Sequence, residues 1–278
     1  MFPPKTSSSR KPPSLNKLVL PGRIWIASDV HLGPDSPATA AAFHAFLEQA
    51  AGQADTLILA GDIFDAWIGD DVIRQPRPWL ETSLHALQTV AKRIPLWVGR
   101  GNRDFLISAQ LSHAIGARLL PEPALLATDA GEILLAHGDE YCTADARYQR
   151  FRRIVRHPGV QRAYLSLPLR VRQSIADWAR RRSMRSNRYK SAEIMDVTPQ
   201  AVEQALRESG SATLIHGHTH RPAHHTLQVD GRRCERWVIP DWDFDHATPS
   251  RGGWVEVSVR GVQIVRHPAS QAQVQASK

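Results

Sequence analysis

Five short apolar runs, each followed by glycine and a cluster of polar residues, constrain this chain more than any other feature. They read RIWIASDVH (23–31), TLILAGDIFD (56–65), PLWVGRGNRD (95–104), EILLAHGDE (132–140) and ATLIHGHTH (212–220). Each run is short and rich in Ile, Leu and Val, which is typical of a strand that is buried on both faces. We therefore predict a buried strand in each run.

Helical patterns separate the first three of these runs. Ser36 suits the N-cap position and Pro37 the first helical position, which predicts a helix between the first two runs. Leu80, Leu84 and Leu87 repeat at helical spacing and predict a second helix. Strands that alternate with helices indicate an α/β fold, in which ligands gather beyond the carboxyl ends of the strands. All five polar clusters lie at such ends.

The polar clusters offer the ligand types of a metal site. In an extended chain alternate side chains share a face, so Asp29 is expected to point with His31, and His218 with His220. The strand ends together supply two carboxylates, one amide oxygen and four imidazoles, from Asp29, His31, Asp62, Asn102, His137, His218 and His220. This mixed set suits a pair of divalent ions such as Mn, Fe, Co or Zn better than Ca or Mg. The absence of cysteine from the set argues against a structural zinc site.

Each cluster taken alone also has an ordinary structural explanation. A D-x-H sequence at a strand end can be a cap or a surface pair, G-D a turn, G-N-R-D a loop, and H-G-D a buried histidine before a turn. Histidine pairs also occur on surfaces by chance. Five clusters in order, each at the end of an apolar run, favour one shared site over five coincidences.

The charge of the chain is unevenly distributed. The formal net charge is +8, but residues 147–190 contain 14 Lys and Arg residues and one acid, Asp177. The rest of the chain is therefore mildly acidic. Such asymmetry predicts an anionic partner and leaves nucleic acid, a membrane surface and a phosphorylated substrate open.

Composition and the ends of the chain set further limits. The two cysteines, Cys142 and Cys234, lie far apart and indicate a reducing compartment rather than a disulfide framework. No apolar stretch reaches the roughly 18 residues that a membrane span needs. Residues 1–22 and 269–278 are rich in small and polar residues, and we predict disordered tails around one domain over 23–268.

The ordered set D-x-H, G-D, G-N-R-D, H-G-D and G-H-x-H resembles that of the calcineurin-like metallophosphoesterases. The resemblance implies a two-sheet sandwich flanked by helices, with a dinuclear metal centre whose two ligand sets share Asp62. One set is Asp29, His31, Asp62 and His220, and the other is Asp62, Asn102, His137 and His218. His216 is left over and is expected to be a buried residue that either packs or supports a neighbouring ligand.

Arg103 stands where many members of this superfamily have histidine, in a G-N-H motif. Histidine there can protonate a leaving alkoxide, whereas arginine stays charged near neutral pH and cannot act as a general acid. Arginine can stabilise negative charge on a phosphoryl group. A leaving phosphate needs little protonation, since its second pKa is about 6. The sequence therefore favours cleavage of a diphosphate linkage over cleavage of an alkyl phosphate.

Longer segments resemble the UDP-2,3-diacylglucosamine diphosphatases of the lipid A pathway in Gram-negative bacteria. They are GDIFDAWIGDD (61–71), GNRDFL (101–106), HGDEYCTAD (137–145), SAEIMDV (191–197) and IHGHTHRP (215–222). The family implies that water attacks the α-phosphorus and releases UMP and 2,3-diacylglucosamine 1-phosphate, with two Mn²⁺ ions as the usual cofactor. Asp62 and Arg103 are then catalytic. The implied substrate contacts are Asn102, Arg103, Asp145, Ser183, Asn187, Lys190 and His218.

Residues 145–198 lie between the fourth and fifth clusters and are predicted to form a basic helical cap over the site. Apolar residues such as Leu165, Leu169, Ile175 and Trp178 are interleaved there with arginines. A solvated basic helix with an ordinary core face would explain the same pattern. An apolar lining with arginines fits two acyl chains and a diphosphate, and outward arginines would hold the protein at an anionic leaflet. We therefore expect a cytoplasmic protein that is peripheral to the inner membrane, with no nucleic acid and no obligate protein partner.

Two other interpretations stay open on the same scaffold. One is a different nucleotide phosphohydrolase or a nuclease that the basic cap attracts, and the other is a scaffold that kept the fold but lost its metals. The complete ligand set argues against the second. Asp70 and Asp71 either orient an arginine or cap a helix. Trp242 and His246 either line the pocket or pack, and packing is preferred.

Overall fold

Two six-stranded mixed sheets with flanking helices make up the part of the chain that the computed structural model describes, residues 17–187 and 196–268. The strands are β1 (Lys17–Val19), β2 (Ile24–Ala27), β3 (Thr56–Leu59), β4 (Leu96–Val98), β5 (Arg118–Leu119), β6 (Ala124–Thr128), β7 (Gly131–Ala136), β8 (Thr213–His216), β9 (His224–Val229), β10 (Arg232–Val238), β11 (Gly253–Ser258) and β12 (Gly261–Arg266). The helices are α1 (Pro37–Gln53), α2 (Pro78–Ala91), α3 (Ala109–Ile115), α4 (Ala146–Val155), α5 (Pro158–Leu165), α6 (Leu169–Asn187) and α7 (Pro199–Ser209), with 3₁₀ turns at Asp70–Arg74 and Asp139–Tyr141.

The five strands predicted from the apolar runs lie at the centre of the two sheets. One sheet has the order β12–β11–β2–β3–β4–β5, in which β2 to β5 are parallel. The other has the order β1–β6–β7–β8–β10–β9, in which β7, β8 and β10 are parallel. Neighbouring parallel strands end at the same edge of a sheet, so the polar clusters that follow them are gathered together. The predicted α/β sandwich flanked by helices is confirmed.

Alternation along the central strands builds the core in layers. Ile24 and Ile26 of β2 point into the core between the two sheets. Trp25 and Ala27 point the other way, into a second core that α1, α2 and α3 cover. All four side chains are at most 2% exposed, which explains why the run contains no polar position. A fully buried apolar side chain of this size contributes about 1.5–3 kcal/mol by leaving water.

The first ordered strand lies inside the segment that the sequence predicts to be a tail. Lys17–Val19 form β1 and pair in parallel with β6. Leu20 is buried in the core between the sheets. The tail expected over residues 1–22 is therefore corrected for residues 17–22, because pairing with β6 and burial of Leu20 order them. Residues 1–16 and 269–278 lie outside the described ranges.

Both helices predicted in the first half of the chain form. α1 begins at Pro37, but the side chain of Ser36 does not cap it. The carboxylate of Asp245 instead accepts hydrogen bonds from the N–H groups of Ala38 and Thr39, at 3.0 and 2.9 Å. The leucines predicted for α2 lie on its buried face. The helix positions were thus predictable, whereas the residue that caps α1 comes from far along the chain.

Three helices, α4 to α6, occupy the segment expected to form the cap. Their arginines form ion pairs with carboxylates of the two-sheet domain. Arg152 of α4 places its Nε 2.7 Å from Asp139 Oδ2. Arg156 of the same helix places Nη1 2.6 Å from Glu122 Oε2. Part of the positive charge of this segment is therefore neutralised inside the protein.

The far end of the cap is attached in the same way. Arg172 of α6 is 2% exposed and donates to the carbonyl oxygen of Ile68 at 2.6 Å. It also pairs with the carboxylate of Asp71. Arg180, two turns further on, places Nη1 2.6 Å from Asp65 Oδ2. The buried guanidinium of Arg172 is tolerated because it finds carboxylate and carbonyl acceptors.

The adjacent acids Asp70 and Asp71 have one each of the two roles considered for them. Asp71 orients an arginine, Arg172. The buried carboxylate of Asp70 accepts from Trp67 Nε1 at 2.8 Å and from Ser108 Oγ at 2.6 Å. It also accepts from the N–H groups of Ser108 and Leu111, at the start of α3. Asp70 therefore caps α3 and fastens the loop before it.

Replacing Asp70 with alanine is expected to lower the free energy of unfolding by about 2–4 kcal/mol, because four donors lose a charged acceptor in a buried place. Urea unfolding followed by circular dichroism measures the change. Asp35→Ala, at an exposed carboxylate, is the control and should cost less than about 0.5 kcal/mol. Equal losses in the two variants would contradict the capping role.

Candidate metal centre

Six of the seven side chains predicted as metal ligands meet in two groups at the carboxyl edge of the sheets. Within each group, one potential ligand atom per residue lies within 4.8 Å of the others. The groups are Asp29, His31 and His220, and Asp62, His137 and His218. Each group joins residues from both sheets, so neither can form before the sandwich has assembled.

The first group surrounds a point between two imidazoles and a carboxylate. His31 Nε2 and His220 Nε2 are 3.3 Å apart. Asp29 Oδ1 lies 3.5 Å from His220 Nε2. The other oxygen of Asp29 accepts from Ser28 Oγ and from the N–H of His218, the latter at 2.9 Å. Asp29 is thus held through one oxygen and directs the other at the imidazoles.

The second group is completed by Asn102, the seventh predicted ligand. Asn102 Oδ1 lies 2.8 Å from His218 Nδ1 and 3.2 Å from His137 Nε2. Asp62 Oδ2 lies 3.6 Å from His137 Nε2. His137 Nδ1 lies 3.3 Å from the carbonyl oxygen of Ala60, which fixes the plane of the ring. One carboxylate, one amide oxygen and two imidazoles therefore face a common point.

The backbone at these positions is strained rather than extended. Five of the seven residues have positive φ angles, at 52–67°: Asp29, His31, Asp62, His218 and His220. Within residues 17–187 and 196–268, Asp230 is the one further non-glycine residue with positive φ. Such angles are uncommon outside glycine and concentrate at functional sites. The expectation that extended alternation aligns Asp29 with His31, and His218 with His220, is therefore corrected: residues in the left-handed conformation after β2, β3 and β8 direct these side chains.

Two glycines are required by the close approach of the clusters. A Cβ on Gly101 would lie 2.1 Å from Asp62 Oδ1, and one on Gly217 would lie 2.2 Å from Asp29 Oδ2. Any side chain at either position would displace a carboxylate. Glycine permits this close approach because it has no Cβ.

Asp104 is the last residue of the G-N-R-D motif, and the sequence alone indicates no role for it. Its buried carboxylate accepts backbone N–H groups from two loops. Oδ1 accepts from Gly101 at 2.7 Å and from Asp62 at 3.1 Å, and Oδ2 accepts from Ile63 at 2.8 Å. Asp104 therefore fixes the loop after β3 against the loop after β4, and with them Asp62 and Asn102.

The electrostatics of the two groups attract positive charge. Burial, helped by the carboxylates of Asp104 and Asp29, raises the pKa of Asp62 to about 7. Although burial disfavours a charged ring, the carboxylates of Asp62 and Asp29 raise the pKa of His137 to about 9. Burial lowers the pKa of His218 to about 3, and the neighbouring His137 adds to this. A cation in the second group would compensate the carboxylate charge that otherwise raises the pKa of His137.

The residues fit a divalent cation by a further observation. Asp29 Oδ1 is buried and has no hydrogen-bond partner among the described residues. A buried carboxylate oxygen whose contact with His220 Nε2 is a 3.5 Å ion pair and not a hydrogen bond is incompletely compensated for its loss of water. A cation between Asp29, His31 and His220 would provide that partner, and the nitrogen and oxygen donors suit borderline metals.

Arg103 lies beside both groups. Its N–H donates to Asp62 Oδ1 at 2.7 Å. Its positive charge lowers the pKa of both His31 and Asp62, although burial is the larger influence on each and the coulombic effect of Arg103 is a smaller one. Its guanidinium is therefore close enough to act on the charges of the centre.

The predicted contacts in the cap are placed less completely. Asp145 is the N-cap of α4 and accepts from the N–H of Tyr148 at 2.9 Å, which gives it a structural role. Ser183 and Asn187 lie in the last turns of α6, but their side chains lie outside the description. Lys190 lies outside the described residues. Contact of these four residues with substrate stays a prediction.

The three residues left open on the sheet side are now placed. His216 is fully buried, with Nδ1 2.8 Å from the carbonyl oxygen of Gly217, which agrees with the packing interpretation. Trp242 is 3% exposed and packs edge-on against Phe43. His246 is exposed, so the preferred packing interpretation is wrong for this residue.

Tyr148 and Asp139 are functional candidates that the sequence analysis missed. Tyr148 Oη donates to Asp139 Oδ2 at 2.6 Å, and its ring stacks 6.1 Å from that of His218. Asp139 follows His137 by two residues and also binds Arg152. The H-G-D motif was a signal for Asp139, because the motif places an aspartate two residues after the candidate ligand His137. The structure shows that this aspartate is buried. These contacts link the cap to the candidate ligands.

Comparisons with known proteins agree with the geometry. The family model described as calcineurin-like phosphoesterase matches residues 22–222. A Bordetella pertussis protein named UDP-2,3-diacylglucosamine hydrolase is 58% identical over 249 residues, which are 90% of this chain and 96% of that protein. The chain belongs to the calcineurin-like phosphoesterases, in the family of the UDP-2,3-diacylglucosamine hydrolases. The resemblance seen in the motifs is confirmed.

Two further matches complete the comparison. A protein of the same name from Serratia proteamaculans is 42% identical over 241 residues, covering 87% of this chain and 97% of the other. Among solved structures, wild-type Vps29 from Entamoeba histolytica complexed with zinc matches 88% of this chain and 97% of its own, at 12% identity and a TM-score of 0.40. The family assignment rests on the sequence relatives.

Replacing Asp104 with alanine is expected to release both loops, and with them Asp62 and Asn102. We expect a loss of about 3 kcal/mol in the free energy of unfolding and reduced Mn²⁺ binding. Urea unfolding and metal analysis after gel filtration measure the two effects. Asp129→Ala is the control, since its exposed carboxylate accepts a single backbone N–H, that of Gly22. Full Mn²⁺ binding by the Asp104 variant would contradict the role given to its carboxylate.

Proposed function

We propose that this protein hydrolyses the diphosphate linkage of UDP-2,3-diacylglucosamine, giving UMP and 2,3-diacylglucosamine 1-phosphate in lipid A biosynthesis. One observation carries the proposal: two groups of imidazoles and carboxylates converge at one sheet edge. Relatives that bear the name of this hydrolase, at 58% and 42% identity, support the choice of substrate. A fold that had lost its metals would have no reason to keep five non-glycine residues in left-handed conformations.

The residues assigned to the two cations are those predicted from the motifs. Asp29, His31, Asp62 and His220 would hold one ion, and Asp62, Asn102, His137 and His218 the other. We propose Mn²⁺ for both positions, since mixed imidazole and carboxylate sites suit it. When bound, the two ions supply a water of lowered pKa and a clamp for phosphate oxygens.

Arg103 determines which leaving group the proposed site favours. The N–H of Arg103 occupies Asp62 Oδ1, which leaves Oδ2 facing His137. The guanidinium of Arg103 supplies positive charge beside the centre without a transferable proton. That charge suits a transition state in which negative charge grows on phosphoryl oxygens and the leaving group is itself a phosphate. Arg103 therefore favours a diphosphate over an alkyl phosphate ester.

Mn²⁺-dependent release of UMP from UDP-2,3-diacylglucosamine tests the proposed reaction. Asp62→Ala is expected to reduce the rate to background, because the variant loses a ligand that both ions share. Arg103→Ala is expected to lower kcat/KM by about 10²–10³-fold while Mn²⁺ still binds, because only charge stabilisation is lost. Arg93→Ala, at an exposed arginine that pairs with Glu48, is the control and should retain full activity.

A substrate panel distinguishes the proposal from its rivals. Bis(p-nitrophenyl) phosphate and single-stranded DNA should be poor substrates beside the lipid nucleotide. Faster hydrolysis of either would assign the site to a nuclease or a general phosphodiesterase. Absence of bound Mn²⁺ together with absence of Mn²⁺-stimulated hydrolysis would favour the metal-free scaffold.

We also propose that the cap meets acyl chains and a membrane surface. Among the described residues, ten large apolar side chains are exposed, and eight of them lie on the cap. The eight are Phe151, Ile154, Val160, Leu165, Leu169, Val171, Ile175 and Trp178. α4 and α5 contain no buried residue, although Tyr164 of α5 packs against the core, so an ordinary core face does not account for most of the apolar residues in these two helices. No helix in the described part of the chain is long and apolar enough to cross a membrane.

Exposed apolar side chains interleaved with arginines suit an anionic bilayer surface. Trp178 is 57% exposed and the guanidinium of Arg182 lies 5.5 Å from its ring centroid. A cationic residue near such a surface contributes about 1 kcal/mol. Eight exposed large apolar side chains on one segment of the chain suit a surface that meets an apolar partner. Attachment to the inner membrane would bring the cap to a substrate that resides there.

Replacing Phe151 and Trp178 together with serine is expected to weaken binding to anionic phospholipid vesicles by at least about tenfold, since each side chain contributes about 1.5–3 kcal/mol when it leaves water. Vesicle co-sedimentation measures the change. Val259→Ser is the matched control, because Val259 is 79% exposed but lies outside the cap, in the turn between β11 and β12. Equal weakening in the control would remove the special role of the cap.

A further inference from the structure

Asp241 lies beside the candidate metal centre in a stretch where the sequence shows no motif. It follows β10, which pairs in parallel with β8, the strand that leads into His218 and His220. Backbone hydrogen bonds fix the chain on both sides of Asp241. The N–H of Ile239 donates to the carbonyl oxygen of His216 at 2.8 Å, and the N–H of Trp242 donates to the carbonyl oxygen of Asp29 at 3.1 Å. The pairing of two strand ends therefore holds Asp241 against the loop of the H-x-H motif.

The carboxylate of Asp241 contacts the back of a candidate ligand. Asp241 Oδ2 lies 3.4 Å from His220 Nδ1, while Nε2 of the same ring faces His31 and Asp29. Arg251 donates to the same Asp241 oxygen from Nε and Nη2, at 3.0 and 2.9 Å. Asp241 is 2% exposed. The arrangement is a buried carboxylate, set by an arginine, behind an imidazole.

His220 differs from the other three histidines of the centre in its surroundings. Its side chain is 39% exposed, whereas the other three rings belong to residues that are buried or partly buried. His137 Nδ1 faces a backbone carbonyl, and His31 Nδ1 has no hydrogen-bond partner within the described ranges. An exposed ring on a loop is free to rotate unless a partner holds it. Asp241 is that partner.

We propose that Asp241 is a positioning residue, which fixes the orientation and tautomer of His220 and so strengthens one of the two cation sites. The inference rests on the dinuclear centre proposed above. A carboxylate that accepts the Nδ1–H of an imidazole leaves the Nε2 lone pair for the metal and makes it a better donor. Loss of such a partner typically weakens metal affinity 10–100-fold. Since Asp241 touches one ligand set only, the weakening should fall on one ion.

Titration of the metal-free protein with Mn²⁺ tests this inference. Calorimetry measures the two affinities during the titration, and electron paramagnetic resonance shows whether the bound ions are coupled. The wild-type protein should bind two ions and give the spectrum of a coupled Mn²⁺ pair. Asp241→Asn should bind the first ion with unchanged affinity and the second 10–100-fold more weakly. At intermediate Mn²⁺ its spectrum should be that of isolated Mn²⁺. Its activity should recover at saturating Mn²⁺, which Arg103→Ala should not.

Asp243→Asn is the matched control, because Asp243 also pairs with Arg251, at 3.6 Å, but has no contact with His220. It should bind both ions as the wild type does. Arg251→Gln, at a half-exposed residue, provides a second variant and should weaken the same site to a smaller extent. Two unchanged affinities in Asp241→Asn would overturn the inference. Failure of the wild type to bind two ions would instead overturn the dinuclear centre itself.

Discussion

Buried carboxylates at the carboxyl edge of the two sheets are the constraint on which the rest of the structure depends. Asp29, Asp62, Asp104, Asp139 and Asp241 are each at most 2% exposed. An ion removed from water costs several kcal/mol unless partners replace the water. The fold provides those partners from every side: backbone N–H groups for Asp104, arginines for Asp139 and Asp241, and imidazoles for Asp29 and Asp62.

Sequence reasoning succeeded where a pattern is local. The five apolar runs became strands, and the polar residues after them met, because parallel strands end at a common edge. It failed where a contact depends on pairing between distant segments. β1 is three residues long and depends on pairing with β6, a strand more than 100 residues further along the chain. Asp241 reaches His220 only because β10 lies beside β8, and no spacing in the sequence specifies that neighbour.

The backbone conformation that brings the candidate ligands together could not be predicted from the sequence pattern either. Alternation in an extended chain predicts that residues two apart share a face, yet Asp29, His31 and His220 have positive φ angles. Non-glycine residues adopt that conformation rarely, so a sequence argument has no reason to choose it. Surrounding hydrogen bonds hold the strained backbone, such as the one from the N–H of Trp242 to the carbonyl oxygen of Asp29. The site is thus more rigidly specified than its motifs suggest.

The attachment of α4 has a consequence for how binding events communicate. Tyr148 and Arg152 of this helix both bind Asp139, two residues from His137. A lipid that binds the cap as proposed and moves α4 would have to break these contacts, which lie beside the candidate ligands. The proposed lipid site on the cap and the proposed cation sites would then be thermodynamically linked, and each ligand would change the affinity of the other by the same factor. Substrate binding would thereby change the affinity of the centre for the ions, and ion binding would change the affinity for the substrate.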